Sequence, residues 1–328
     1  MIPEVSVVIP VFNEQEVLPF LFQRLYASLD ALGLAYEVIF IDDGSRDRSV
    51  ALLREQFARR PDSTRVIVLA SNAGQHMAIL AGLSRARGRW VITLDADLQN
   101  PPEEISKIVS TLQSGADYVG TVRLQRQDVW WRKSISLLLN RVRERTTHIR
   151  ITDQGCMLRG YSREIVDAVN SCTEVSTFIP ALAYTFARHP KEIPVAHEER
   201  RAGQSKYSLY SLIRLNFDLM TGFSLLPLQF FSLAGLAIAV CSLLFVCYLA
   251  VRRLVVGPEV EGVFTLFGIA FFLMGVLLLG LGVVGEYIGR IYVQVRQRPR
   301  FIIATVLEQP HNSESIELHS RQVERKSL

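Results

Sequence analysis

The sequence predicts an α/β fold, a mostly parallel sheet covered by helices, followed by a membrane-associated part. Three observations predict it. Short apolar runs alternate with helical patterns through residues 5–122. Polar clusters close these runs: Asn13-Glu14, Asp42-Asp43, Asn72 and Asp95-Asp97. Two long apolar runs, about 225–251 and 263–285, carry no charge. Strand–helix alternation brings each strand back in the same direction, which makes the sheet mostly parallel. Ligands of such sheets bind beyond the carboxyl ends of the strands, where the polar clusters fall.

Taken in order, "VSVVIPVF" (5–12) is a strand, and an amphipathic helix follows from Glu14 to Leu32. "YEVIFIDDGS" is the second strand, followed by a helix from about Asp47 to Arg59. "TRVIVLAS" is the third, with a helix from about Gln75 to Ala86. "RWVITLDAD" is the fourth, with a helix from about Pro102 to Ser114. Pro102 suits a first turn, and Glu103 and Glu104 complement the positive end of the helix dipole, so both acids read as structural. "DYVGTV" is a fifth strand. From there to about residue 200 the pattern is less regular, and no internal repeat is visible.

The chain is 49% hydrophobic, with a mean hydropathy of +0.22, and the excess lies in the two apolar runs. Each exceeds the ~20 residues a helix needs to cross a bilayer. One such run could be a buried core helix; two in tandem predict two membrane spans. The N-terminus opens on a strand rather than a secretory signal. Arg214 precedes the first run, and Arg290, Arg296, Arg298 and Arg300 follow the second. The loop between holds Arg252 and Arg253 with Glu259 and Glu261, so the large domain and the tail are expected in the cytoplasm. A net charge of +4 suits an anionic membrane surface rather than nucleic acid. Four cysteines without a CxxC pair predict neither a disulfide framework nor a zinc site. The expected divisions are a globular domain over 1–205, an amphipathic segment over 206–224, the two spans, and a segment over 286–328. The 206–224 segment reads equally as a membrane-surface helix or a linker helix. The polar tail beyond about Thr305 is expected to be disordered.

Asp42 and Asp43 end one strand, and Asp95 and Asp97 end another. Four carboxylates at one sheet edge would repel each other unless a cation sits among them. Asp95 and Asp97, two apart, lie on one side of an extended chain. With Gln99 they form an oxygen-donor set suited to Mg²⁺ or Mn²⁺. The competing reading is that these aspartates cap turns. The literal G-x-G-x-x-G at 280–285 lies inside the second apolar run, so it is not a dinucleotide loop. Gly275, Gly280, Gly282, Gly285 and Gly289 read as sites of close helix packing. Arg123 and Arg126 follow the fifth strand, and "RRAGQSKYS" (200–208) precedes the first apolar run. That basic stretch reads either as a lipid-phosphate site or as a solvated membrane-flanking patch. His76 and His197 are lone histidines with no partner at metal-ligand spacing.

"VVIPVFNE", "IDDGSRDRS", "LDADLQNPPEE" and "RRAGQSKYS" resemble the inverting glycosyltransferases of family 2, with the GT-A fold. The resemblance is to the polyprenyl-phosphate subgroup and runs from about Val5 to Phe301. It implies transfer of a sugar from a UDP-sugar donor to undecaprenyl phosphate at a bacterial inner membrane. "NAGQHMAILAG", "QGCMLRGYSREIVDA", "STFIPALAYTFAR", "EGVFTLF" and "GEYIGRIYVQVRQRPRF" narrow the implied sugar to 4-deoxy-4-formamido-L-arabinose. That sugar implies a role in lipid A modification and polymyxin resistance; glucose or mannose is the alternative. By the same resemblance, Pro10, Phe12, Asn13, Glu14, Asp43, Gln75 and Asp95 would bind the nucleotide. Asp95, Asp97 and Gln99 would hold the divalent cation, and Asp97, Arg123 and Asp153 would be catalytic. Asp153 could position or deprotonate the acceptor. Arg200, Ser205, Lys206 and Arg126 would hold the acceptor phosphate. The Q-x-x-R-W motif of polymer-making members is absent, which implies one sugar per lipid carrier. Membrane lipids are expected partners, nucleic acid is not, and a homo-oligomer is compatible with the sequence.

Overall fold

The computed structural model describes residues 3–123, 151–153, 155–173, 178–198, 226–256, 263–296 and 298–309. Arg126, Arg200, Ser205, Lys206 and the segment 206–224 lie outside the described residues. The described chain falls into two compact units. One holds the residues up to 198 together with 298–309, and the other holds two long helices.

The first unit is built on a sheet of eight strands among the described residues. In chain order the unit runs β1 (Val5–Val11), α1 (Leu18–Asp30), β2 (Tyr36–Asp42), α2 (Ser49–Arg59), β3 (Thr64–Leu69) and α3 (Gln75–Leu83). It continues with β4 (Trp90–Thr93), a 3-10 turn (Pro102–Glu104), α4 (Ile105–Gln113) and β5 (Tyr118–Arg123). Then come β6 (Arg159–Ser162), α5 (Arg163–Ser171), α6 (Ile179–Phe186) and β7 (Pro190–Val195). In the second unit α7 spans Leu226–Val256 and α8 spans Val263–Val295; β8 (Ile303–Leu307) belongs to the first unit again. The sheet order is β7-β5-β6-β4-β1-β2-β3-β8.

The pairs β1–β2, β1–β4, β2–β3 and β5–β7 are parallel, as the alternation predicts. β6 runs antiparallel between β4 and β5, and β8 runs antiparallel beside β3. Period-two alternation sends Val5, Val7, Ile9 and Val11 of β1 into one core with Leu18, Leu21 and Leu25 of α1 and Ile105 and Ile108 of α4. On the other face, α3 closes on β1 and β2 at Gly82, where a Cβ would overlap the side chains of Val8 and Ile41. Gly160 does the same for α4, lying against Ile108 and Leu112. Helices therefore cover both faces of the sheet.

Several expected boundaries shift for local reasons. α1 begins at Leu18 rather than Glu14, because the amides of Asn13, Glu14 and Gln15 are held by Ser45, Ser49 and Asp47 instead of opening a helix. The region expected to be irregular contains β6, α5, α6 and β7. The expected start of the tail, about Thr305, falls inside a strand. Ile303–Leu307 is an edge strand, with Val66 opposite Leu307 and Val68 opposite Thr305. Glu308, just beyond it, pairs with Arg65 at 2.5 Å and Arg87 at 3.0 Å. Arg65 also reaches buried Glu37 at 3.0 Å, so the strand is fastened by charge as well as by its ladder.

In the second unit, Ile269–Val295 is long and apolar enough to cross a membrane, with a hydropathy of 2.2. α7 holds a shorter apolar stretch, Leu228–Ile238. α8 runs ten residues beyond the apolar limit expected at Gly285, and Glu286 pairs with Arg290 one turn later. Of the glycines read as packing positions, Gly280 meets α7, at the ring of Phe231. A Cβ at Gly275, Gly282, Gly285 or Gly289 would touch nothing described.

Candidate active site

The carboxyl ends of β1, β2 and β4 open on one edge, and the loops that leave them are tied to each other. After β1, Asn13 takes a left-handed turn (φ 56°), which asparagine tolerates better than other non-glycine residues. Its amide donates to Ser45 Oγ at 2.9 Å, and its Oδ1 accepts from the Arg46 amide at 2.8 Å. Phe12 beside it is 45% exposed, a large apolar ring left open at this edge.

After β2, Asp42 accepts from the amides of Gly44 and Ser45, each at 3.1 Å. Asp43 is buried and accepts from the amides of Ala73 (2.7 Å) and Gly74 (2.9 Å). These two acids fasten loops, so the expected cluster of four carboxylates does not form. No group of three or more acidic, histidine or cysteine side chains gathers among the described residues. Asp43 still serves the site indirectly. It fixes Gly74 (φ 92°), which starts α3 at Gln75, and Gln75 Nε2 donates to Asp95 Oδ1 at 2.6 Å.

Asp95 and Asp97 remain as a pair after β4. Asp97 Oδ1 accepts from the Gln99 amide at 3.1 Å, a local turn that keeps the stretch compact. Leu98 between them is buried and left-handed (φ 60°), unusual for leucine, so its side chain pegs the turn into the core while the acids face outward. Asp95 as a residue is partly exposed, yet its carboxyl lies deep among neighbouring atoms. That depth, then the neighbouring Asp97 carboxylate, push its carboxyl up to about 7, with Glu14 adding to the rise and Gln75 and Arg123 opposing it.

Arg123 at the end of β5 grips Asp153 with two parallel bonds, Nε to Oδ2 at 2.6 Å and Nη2 to Oδ1 at 2.8 Å. Gly155 leaves room for that fork: a Cβ there would stand 2.9 Å from Arg123 Nη2. Asp153 Oδ1 also accepts from the Gly155 amide at 3.1 Å.

The profile of glycosyl transferase family 2 matches residues 6–169, from β1 through α5. The chain belongs to that family. It is 50% identical over 306 residues to the undecaprenyl-phosphate 4-deoxy-4-formamido-L-arabinose transferase of Edwardsiella ictaluri, covering 92% of this chain and 94% of that one. It is also 50% identical over 321 residues to the protein of the same name from Serratia proteamaculans, covering 96% and 98%. A crystal structure of glucosyl-3-phosphoglycerate synthase from Mycobacterium tuberculosis, 16% identical, covers 68% of this chain and 80% of its own, with a TM-score of 0.48.

In this family 2 glycosyltransferase the structure brings Glu14, Gln75, Asp95, Asp97, Arg123 and Asp153 into one electrostatic neighbourhood. Phe12 and Asn13 stand at the rim, and Asp43 works from behind. Three residues were missed by sequence reasoning. Buried Asn100 accepts from the Cys156 thiol at 3.3 Å, and Thr121 approaches the same sulfur at 2.9 Å, tying the turn after β4 to the segment before β6. Asn100 looked like part of a helix start, and no spacing rule links it to Cys156, which lies 56 residues away. Arg159 is fully buried beneath the site, and no sequence motif singled it out.

Proposed function

We propose that this chain transfers 4-deoxy-4-formamido-L-arabinose from a UDP-linked donor to undecaprenyl phosphate, inverting the anomeric carbon. One observation supports the reaction class above others: a carboxylate pair, Asp95 and Asp97, stands at the carboxyl edge of the sheet, with Gln75 and Arg123 beside Asp95. The donor and acceptor are supported by the names of relatives half identical over nearly the whole length. The same kinship supports a place in a bacterial inner membrane, with the catalytic unit on the cytoplasmic side.

Asp95, Asp97 and Gln99 offer hard oxygen donors and only two carboxylates, which fits Mg²⁺ or Mn²⁺, ions that complete their shells with phosphate oxygens. When bound, the cation would neutralise the departing diphosphate. Gln75 orients Asp95 for that task through its 2.6 Å bond. Pro10, Phe12, Asn13 and Glu14 line the edge where uracil and ribose would lie, with Phe12 supplying an apolar face. Asp43 shapes the opposite wall by fixing Gly74. Arg123 supplies positive charge beside Asp95, where the transferred sugar and its phosphate would sit.

The acceptor phosphate carries negative charge near neutrality, its second pKa being about 6 by analogy with phosphorylated side chains, so a strong base is unnecessary. Asp153, gripped bidentately by Arg123, is an anchor that aims Arg123. Arg126, Arg200, Ser205 and Lys206 are proposed to receive the acceptor phosphate. The acceptor's long hydrocarbon chain stays in the bilayer, and the apolar Ile269–Val295 helix brings the enzyme to it.

The test is a panel of UDP- and GDP-sugars offered with undecaprenyl phosphate to the purified chain. Product is expected from the UDP-formamido sugar. Transfer of glucose or mannose without transfer of that sugar would overturn the donor assignment.

A further inference from the structure

Arg159 opens β6 directly beneath the Arg123–Asp153 pair. It is fully buried. Nη1 donates to the Tyr118 hydroxyl at 2.5 Å, and Nη2 donates to the backbone carbonyl of Asp153 at 2.6 Å. Nε has no partner. The polar side chains that interact with it are Tyr118, Tyr161, Cys156 and His76, and no carboxylate among the described residues pairs with it. Neighbouring Glu192 turns both oxygens to Thr152, accepting from its amide at 2.9 Å and its hydroxyl at 2.6 Å.

A buried guanidinium without a carboxylate is costly to desolvate, and a core does not need one to pack. The charge therefore serves something other than stability. What it reaches is the peptide whose side chain holds Arg123. Thr152 and Asp153 are then fastened at three points. Glu192 holds Thr152, Arg159 holds the Asp153 carbonyl, and Arg123 with the Gly155 amide holds the Asp153 carboxylate.

We propose that Arg159 is a positioning residue for glycosyl transfer, holding Arg123 in the cleft through the Asp153 peptide. This rests on reading the cleft as the transfer site. Arg159 itself touches no substrate, since it has no exposed surface. Its fork fixes the height of the Asp153 backbone, and the Asp153 carboxylate passes that position on to Arg123.

The test compares Arg159→Met and Arg159→Lys in the full-length chain, each alone and in an Arg123→Ala background. Turnover is measured with whichever UDP-sugar the wild type uses. Arg159→Met is expected to lower kcat about 10-fold or more, to move the donor KM less than about 3-fold, and to leave the melting temperature unchanged or higher. Arg159→Lys keeps one charged donor and should recover much of kcat. In the Arg123→Ala background either change should lower kcat less than about 2-fold, because the residue acts through Arg123. An Arg159→Met enzyme with wild-type kcat would overturn the proposal. So would an undiminished loss in the Arg123→Ala background, or a loss that only tracks the folded fraction. If Arg159→Met does not fold, Arg159→Lys in the two backgrounds decides by the same criterion. A wild type that uses a different UDP-sugar would sink the donor assignment and leave this comparison valid.

Discussion

At the scale of single residues, charge and its compensation separate acids that look alike in the sequence. Asp43 and Asp95 both end strands, yet Asp43 spends its oxygens on two amides while Asp95 accepts from Gln75 and feels the Asp97 charge. Asp97→Asn is therefore expected to lower transfer at least about 100-fold with folding intact. Near-wild-type turnover together with an unchanged melting curve would refute the metal assignment. His76 gives a pH prediction. Burial, then the Arg159 charge, lower its ring to about 4 from 6.5, and it packs edge-on against Phe178 at 5.1 Å. The unfolded chain takes up this proton near 6.5 while the fold resists until about 4, so stability is lost as pH falls between those values. Replacing His76 with Leu should remove roughly 1–2 kcal/mol of the decline between pH 7 and pH 5, read from denaturant midpoints at both values. The sequence did not disclose that the ring is held neutral, because its neighbours Phe178 and Arg159 are remote in the chain.

At the scale of elements, the strands were legible because β-branched runs of period two announce themselves, and α1 to α4 were legible from their spacing. β8 was not. "IATVL" is five residues long and follows a helix and an arginine-rich stretch, so nothing local distinguishes it from a tail. Its partner, β3, lies more than 200 residues earlier. Glu308→Gln should destabilise the catalytic unit by about 1–2 kcal/mol, because Arg65, 5% exposed, would keep Glu37 but lose its second carboxylate. A melting temperature equal to wild type would show the pair to be dispensable. Gly82→Leu should be more severe, about 2–3 kcal/mol, since α3 would have to lift from Val8 and Ile41. Retention of the wild-type melting curve in that variant would contradict the close packing of α3.

At the scale of the whole molecule, the chain interrupts its catalytic unit with two long helices and finishes it afterwards. A protein stopped after residue 205 would lack β8, expose the β3 edge and leave Arg65 without Glu308. Such a fragment is expected to melt lower, and to aggregate more, than one in which residues 298–309 are rejoined by a short flexible linker. Equal stability of the two fragments would show that β8 adds nothing. By itself the sequence determined the strand–helix alternation, the acids at the strand ends and the apolar stretch long enough to span a bilayer. Each is a local pattern, written within one or two turns or strands. The tertiary structure alone decided which acids are spent on loop amides, that Asp153 is clamped by Arg123, that Arg159 lies beneath them, and that a C-terminal strand closes the sheet. Those depend on which distant residues meet, and contacts between remote parts of a chain leave no period in its sequence.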